Sequence, residues 1–345
     1  MTINNQRPGV YSQYDVSSLS ATARSLRYAA VVAKATGGES TAVHTFLSFQ
    51  KAAETFPQDQ RMLGAIEILF DCGVSRVVAA PVTGGDYASA LAAVESLENI
   101  GAVLCDSEAP EQLAALKASV HAASDALRER VGFCGIDDAD AALAAAEALG
   151  SERVVLCCPA GLPKSGRGEA CAFFTAAAVA GTVLALGDPA HNFSGASLGC
   201  IQPPRRMSES QVQSLLAGGV TVVEPLGEGV QIVRALTTRA KVNGVPEHTL
   251  RGLNTILIID DVMGAVRDSL TRRLRGRRIS TRSTDSVLAQ VTVELAAKQD
   301  DGVIESFSAP LVYPRESDPE ICVVELAFKV AHVVSQIHVV AHIQV

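Results

Sequence analysis

Apolar and polar positions along this chain follow two periods, and the change from one to the other marks the elements. Residues 28–34 (YAAVVAK) predict a strand after a polar, Ser-rich opening. From about residue 58 short β-branched runs alternate with longer stretches of helical spacing. The pattern predicts helices over 58–73, 86–101, 109–130, 140–149 and 169–186, with Gly150 closing the fourth. Between them it predicts strands over 75–82, 102–105, 131–136 and 153–159. Strands that are apolar throughout, set between amphipathic helices, predict an α/β fold with a mostly parallel sheet flanked by helices.

The texture changes beyond residue 187. A helix over 208–217 ends on Gly218 and Gly219, strands follow over 220–224 and 230–238, and helices over 256–275 and 284–298. Strands over 303–313 and 321–345 complete a smaller α+β portion. The expected organisation is an extended arm over 1–20, an α/β core over 21–245, a C-terminal α+β domain over 246–331 and a terminal strand arm over 332–345. In the last stretch Cys322, Val324, Leu326, Phe328 and Val330 are apolar at even positions, whereas Ile337, Val339, Ala341, Ile343 and Val345 are apolar at odd ones. A strand has period two, so this flip predicts a bulge, bend or second strand near 332–336. A long alternating strand at a terminus is a hazard unless it pairs within its own sheet or adds to a neighbour's.

Composition narrows the possible functions. Hydrophobic residues make up 48% and charged ones 19%, which is a globular balance. Trp is absent and aromatics are 4%, so stacking platforms for single-stranded nucleic acid or sugars are poorly supplied. A net charge of −8 disfavours a nucleic-acid partner. The eight Cys include no C-x-x-C pair and several lie in apolar runs, which reads as reduced, buried thiols. The polar start is unlike a secretion signal, and 172–187 is too short to span a membrane and reads as a core helix.

RPGVYSQY at 7–14, LLAGGVTVVEPLGEGVQIVRALTTRAKVNG at 215–244, NTILIIDDVMGAVRDSL at 254–270 and the alternating end at 321–345 together resemble phage tail sheath proteins, including the sheaths of R-type bacteriocins and other contractile injection systems. The order and spacing of the segments carry the resemblance, over both ends and most of the chain beyond 170. The Ala-rich stretch 85–150 matches only in its αβ rhythm. The resemblance implies a subtilisin-like core without protease activity, in subunits stacked as six-membered rings around an inner tube. It implies terminal arms that complete a neighbour's sheet, through Val10, Tyr11 and Tyr14 at one end and Ile337, Val339, Ala341, Ile343 and Val345 at the other. The implied partners are further copies of the chain, a tube protein, and baseplate and terminator proteins. Synthesis in a bacterial cytoplasm and assembly into a tail or extracellular particle follow, with no nucleic acid, cofactor or membrane insertion.

Catalytic candidates are thin. His191 and Ser197 fall in one loop-like run without the glycine-rich frames of a subtilase triad. GLPKSGRGE at 161–169 has Gly161 and Gly166 of a P-loop, but Arg167 and Gly168 replace its Lys and hydroxyl, so a turn is expected. Asp260-Asp261 are expected at a helix start or surface, Asp137-Asp138 and Asp300-Asp301 in linkers or helix ends. His338 and His342 share a strand face about 13 Å apart at ~3.3 Å per residue, too far for one metal. Arg272, Arg273, Arg275, Arg277, Arg278 and Arg282 form a run without an acidic residue. It reads either as a solvated helix end or as a docking patch for an acidic surface on the tube or a neighbouring subunit. The expected function is therefore a polymerising structural subunit, with a soluble α/β enzyme or small-ligand binder as the alternative.

Overall fold

The computed structural model describes residues 27–36, 42–242, 244–274 and 281–331. Its elements run β1 (Tyr28–Lys34), β2 (His44–Phe46), α1 (Phe49–Thr55), α2 (Gln60–Asp71), β3 (Val77–Val82), α3 (Tyr87–Glu95), β4 (Ile100–Cys105), α4 (Pro110–Asp125), β5 (Val131–Gly135), α5 (Ala139–Leu149), β6 (Val154–Cys158), β7 (Leu162–Pro163) and α6 (Ala172–Leu186). They continue as β8 (Ile201–Gln202), α7 (Glu209–Ala217), β9 (Thr221–Leu226), β10 (Gly229–Arg234), β11 (Lys241–Val242), β12 (Val245–Pro246), α8 (Leu253–Leu274), α9 (Thr281–Asp300), β13 (Ile304–Phe307), β14 (Leu311–Arg315), β15 (Asp318–Glu325) and β16 (Phe328–Val330).

The main sheet has the order β10-β9-β6-β5-β4-β1-β3-β2. Its six inner strands pair in parallel, and β2 and β10 close the two edges antiparallel. Alternate side chains of each buried strand feed two separate cores. Ala29, Val31, Ala33, Val155 and Cys157 face a layer containing α2 and α6, while Ala30, Val32, Val154, Leu156 and Cys158 face α3, α4, α5 and α7. Burial on both faces explains why these strands lack polar alternation.

α6 is buried for most of its length because its small residues let it lie close on the sheet. The closest approach is at Gly135, where an added Cβ would fall 2.1 Å from the Ala172 carbonyl oxygen. Backbone meets backbone there, and neither can step aside as a flexible side chain could. Gly135→Ala is therefore expected to lower stability by about 3 kcal/mol or more, read as a lower urea midpoint.

The largest departures from the sequence expectation fall at four places. α3 stops at Glu95, and β4 starts at Ile100 after Asn99 turns the chain with φ 61°. α4 stops at Asp125, where Leu127 takes φ 63° and the Arg128 amide closes back on the Ala123 carbonyl at 2.9 Å. This turn carries Arg130 into the interior, 1% exposed, where its guanidinium donates to the carbonyls of Val94 at 2.9 Å and Leu97 at 2.7 Å. A cation there supplies further donors to carbonyls at the end of α3, where helix carbonyls run short of amide partners. β10 ends at Arg234, and Thr237 and Thr238 leave the strand. The Thr238 hydroxyl donates to the Ser151 carbonyl at 3.0 Å and Thr237 to that of Leu250 at 2.8 Å, knotting three loops together. The strand expected over 303–313, and the described part of the one expected over 321–345, are each broken. β13 pairs with β16 and β14 with β15, so the four form one folded-back ribbon interrupted at 308–310 and 326–327.

α8 and α9 pack through Ile258, Val262, Val266, Val287, Val291 and Leu295, a third core that the inner half of the ribbon covers. Asp260 corrects the reading of a helix-start or surface acid. It lies inside α8, 2% exposed, and holds Arg153 at the start of β6 by two bonds of 2.9 Å. Burial pushes the Asp260 carboxyl above its ordinary range and Arg153 draws it only partly back. For Arg153, burial opposes the charge and the bond to Asp260 outweighs it. Asp261 pairs with Lys298 of α9 at 2.7 Å. Arg267 of α8 pairs with Glu129 in the loop before β5. Charged bonds therefore fasten α8 to the sheet on one side and to α9 on the other.

Candidate assembly surface

The expected arm residues Val10, Tyr11, Tyr14, Ile337, Val339, Ala341, Ile343 and Val345 lie outside the described residues, as does the break expected at 332–336. The described chain leads to the C-terminal arm from the ribbon, where the Ala331 amide donates to the Val303 carbonyl at 3.4 Å.

The outer half of the ribbon is largely exposed along β14. Val312 and Val324 point toward the third core, but Leu311 is 58% and Tyr313 41% exposed. The Tyr313 hydroxyl donates to the Glu325 carboxylate across the ladder, which holds the phenol above its usual range. Among the described residues β14 and β15 pair only with each other, leaving an unpaired backbone row on each outer side. Such a row is a template for a further strand. The main sheet is different. The loop at 195–198 lies along the outside of β10, with Gly195 donating to the Ile232 carbonyl at 2.7 Å and Leu198 to that of Val230 at 2.8 Å. The opposite edge, β2, is three residues long.

Of the basic run, Arg272 is exposed in the last turn of α8. Arg273 follows in the same turn, with its side chain outside the described residues, and so are Arg275, Arg277, Arg278 and Arg282 or their side chains. The run thus joins the C-terminus of α8 to the N-terminus of α9, and cations suit the carbonyl end of the first helix.

The chemical candidates resolve into structural roles. Ser197 belongs to the loop that covers β10, and the His191 ring packs edge-on against Phe193. In the P-loop-like run, Arg167 and Ser165 both bond Glu67, at 2.9 and 2.8 Å, and Arg167 stacks over Phe49. Asp138 caps α5 by accepting from the Ala141 amide at 2.8 Å, and Asp137 accepts from that of Ala160 at 2.7 Å. Among the described residues no group of three or more His, Cys, Asp or Glu could hold a metal, and no helix is long and apolar enough to cross a membrane.

Doubly wound sheets take ligands where the strand order reverses, here between the C-terminal ends of β1 and β4. Among the described residues, a buried carboxylate bonded to the chain's own groups stands there. Asp106, 4% exposed, accepts from the Lys34 amide at 3.1 Å and from the Tyr87 hydroxyl at 2.6 Å. Burial, with the Asp106 bond, pushes the Tyr87 phenol well above its usual range, so it stays a donor. The sequence reading singled out none of Asp106, Tyr87, Arg130 or the Arg153–Asp260 pair. Asp106 directly after the buried strand at 100–105 was the available signal, since a carboxylate there needs fixed donors.

No protein-family model matches the chain, and no curated protein matches it. Solved structures do. A chain of the anti-feeding prophage baseplate aligns over 99% of this chain and 100% of its own, with a TM-score of 0.73 at 14% identity. A chain of an extracellular contractile injection system, the PVC sheath complex in its contracted state, aligns over 100% and 99%, with a TM-score of 0.71 at 11% identity. The sheath tail protein of Desulfitobacterium hafniense aligns over 93% and 100%, with a TM-score of 0.69 at 10% identity. Since both members of each pair are covered almost end to end, this chain has the fold of contractile tail sheath proteins.

Proposed function

We propose that the chain is a structural subunit of a contractile tail sheath. The observation that carries this is the end-to-end likeness to sheath proteins, in which no large part of either chain is left over. In this reading residues 1–20 and 332–345 are arms, 21–245 the body and 246–331 the domain that receives them. Subunits stack as six-membered rings around an inner tube. A neighbour's arm extends the β14–β15 ribbon through main-chain hydrogen bonds, so rings stay joined while bodies rotate. Contraction buries further surface between subunits and drives the tube through a target envelope. Roughly a few kcal/mol per subunit suffices, because the subunits of a ring act together.

The partners are further copies, the tube protein, and baseplate and terminator proteins. The chain needs no cofactor or nucleic acid and inserts in no membrane. It is made in a bacterial cytoplasm and works in a tail or extracellular particle. The basic run between α8 and α9 docks on an acidic surface of the tube or of a neighbouring subunit. Exposed ion pairs are individually weak, which suits a contact that must release. Arg272→Glu with Arg275→Glu is expected to abolish co-assembly with the tube while leaving the melting temperature unchanged. Co-assembly at the unmodified level would remove the docking role. The function itself is tested by sedimentation of the full chain co-expressed with its tube protein. Large particles containing both proteins are expected, and a chain that stays monomeric beside separate tubes would overturn the reading.

A further inference from the structure

Cys72 caps the C-terminus of α2, and Cys200 stands just before β8, 128 positions later. Their sulfur atoms lie 2.9 Å apart. The site is built around them by α6. The Cys72 Sγ also lies 3.8 Å from the Ala178 carbonyl oxygen and 4.0 Å from the Thr182 hydroxyl. A Cβ on Gly181 would come within 2.9 Å of the Cys72 Cβ and 3.0 Å of its Sγ, so the glycine in the middle of α6 is what makes room for the pair.

The two thiols are not equivalent. Cys72 is partly exposed, whereas Cys200 is buried and 4% exposed. The contact with Cys200 holds the Cys72 thiol below its ordinary range, while the same contact, with burial, pushes Cys200 far up. A partly exposed thiol with a lowered pKa beside a buried one fits the division of labour of an attacking and a resolving cysteine. Cys134 and Cys157 lack this character, since burial, with neighbouring thiols, raises both and the strand stack encloses them.

We propose that Cys72 and Cys200 are a modification site that closes to an intramolecular disulfide when the folded chain meets a small-molecule disulfide such as oxidised glutathione. The Cys72 thiolate attacks one glutathione sulfur, forming a mixed disulfide and releasing one glutathione thiolate. Cys200 then gives up its proton and attacks the Cys72 sulfur, forming the Cys72–Cys200 bond and expelling the second glutathione. Two protein thiols are oxidised and one glutathione disulfide is reduced to two thiols. The sulfurs need approach by only about 0.9 Å to reach an S–S bond of ~2.0 Å. The bond fastens the end of α2 to the strand start at β8 across α6. The inference is independent of the assembly reading.

The test treats the folded full-length chain with oxidised glutathione, quenches in acid, alkylates the remaining thiols and maps the peptides without reduction. A linked Cys72–Cys200 peptide is expected, with an intact mass lower by about 2 Da and two of the eight thiols protected, all reversed by dithiothreitol. In Cys200→Ser the reaction is expected to stop at a glutathione adduct on Cys72. Wild-type protein that keeps Cys72 as an alkylated thiol, or as a persistent glutathione adduct, would overturn the proposal. The wild-type map decides the matter even if the variant fails to fold.

Discussion

Deleting residues 1–20 is expected to leave a folded body that no longer forms long cylinders. The same is expected on deleting 332–345, because each arm is proposed to supply one strand to another subunit. A strand of this length adds four or five main-chain hydrogen bonds. At about 1 kcal/mol net each, they amount to about 4 kcal/mol, or roughly a thousandfold in the association constant. In a lattice the loss is repeated at every subunit, so assembly should fail at any ordinary protein concentration. The melting temperature of the body should not move, since its three cores lie within 29–330. Sedimentation velocity with thermal unfolding on the same samples separates the two effects. Long cylinders from both truncated chains would show that the bodies polymerise without strand exchange.

Asp260→Ala is expected to act on stability. The carboxylate is 2% exposed and the Arg153 side chain 13%, with both oxygens bonded to the guanidinium at 2.9 Å. Removing one partner strands the other charge in the interior, at a cost of about 3–5 kcal/mol. That is a large share of the roughly 5–15 kcal/mol by which domains are stable, and a urea titration should show it as a large fall in midpoint. Arg153→Met combined with Asp260→Leu removes both charges and is expected to recover most of the loss. The contrast identifies the pair as a clip that fixes where α8 lies on the sheet. A single variant within 1 kcal/mol of wild type would mean that water reaches the pair.

The sheet was legible because its strands are buried on both faces and their apolar runs are unbroken. The run at 28–34 gave β1 to the residue, and Gly150 ended α5 with φ 47°, as a left-handed cap should. The ribbon was not legible in the same way. Cys322 to Val330 keep one alternating phase, so periodicity alone gives a single strand, and only the separate pairings of β15 and β16 divide it. Helix ends were misplaced where a tertiary contact overrode propensity, as at Arg130, whose guanidinium leaves α4 to satisfy α3. The acids were misread for a related reason. Adjacent Asp260 and Asp261 look like a surface pair, yet the helix turns one toward Arg153 and the other toward Lys298. The expectation of an assembly surface came from resemblance rather than from any local motif, since strand exchange needs only alternation and an open edge, which many sheets possess.

Electron microscopy of the full-length chain assembled on its tube tests the central claim most directly. The account predicts six-fold rings stacked around the tube, in which a strand from a neighbouring subunit lies along the β14–β15 ribbon. Rings whose ribbons stay two-stranded, or a chain that never surrounds the tube, would contradict it.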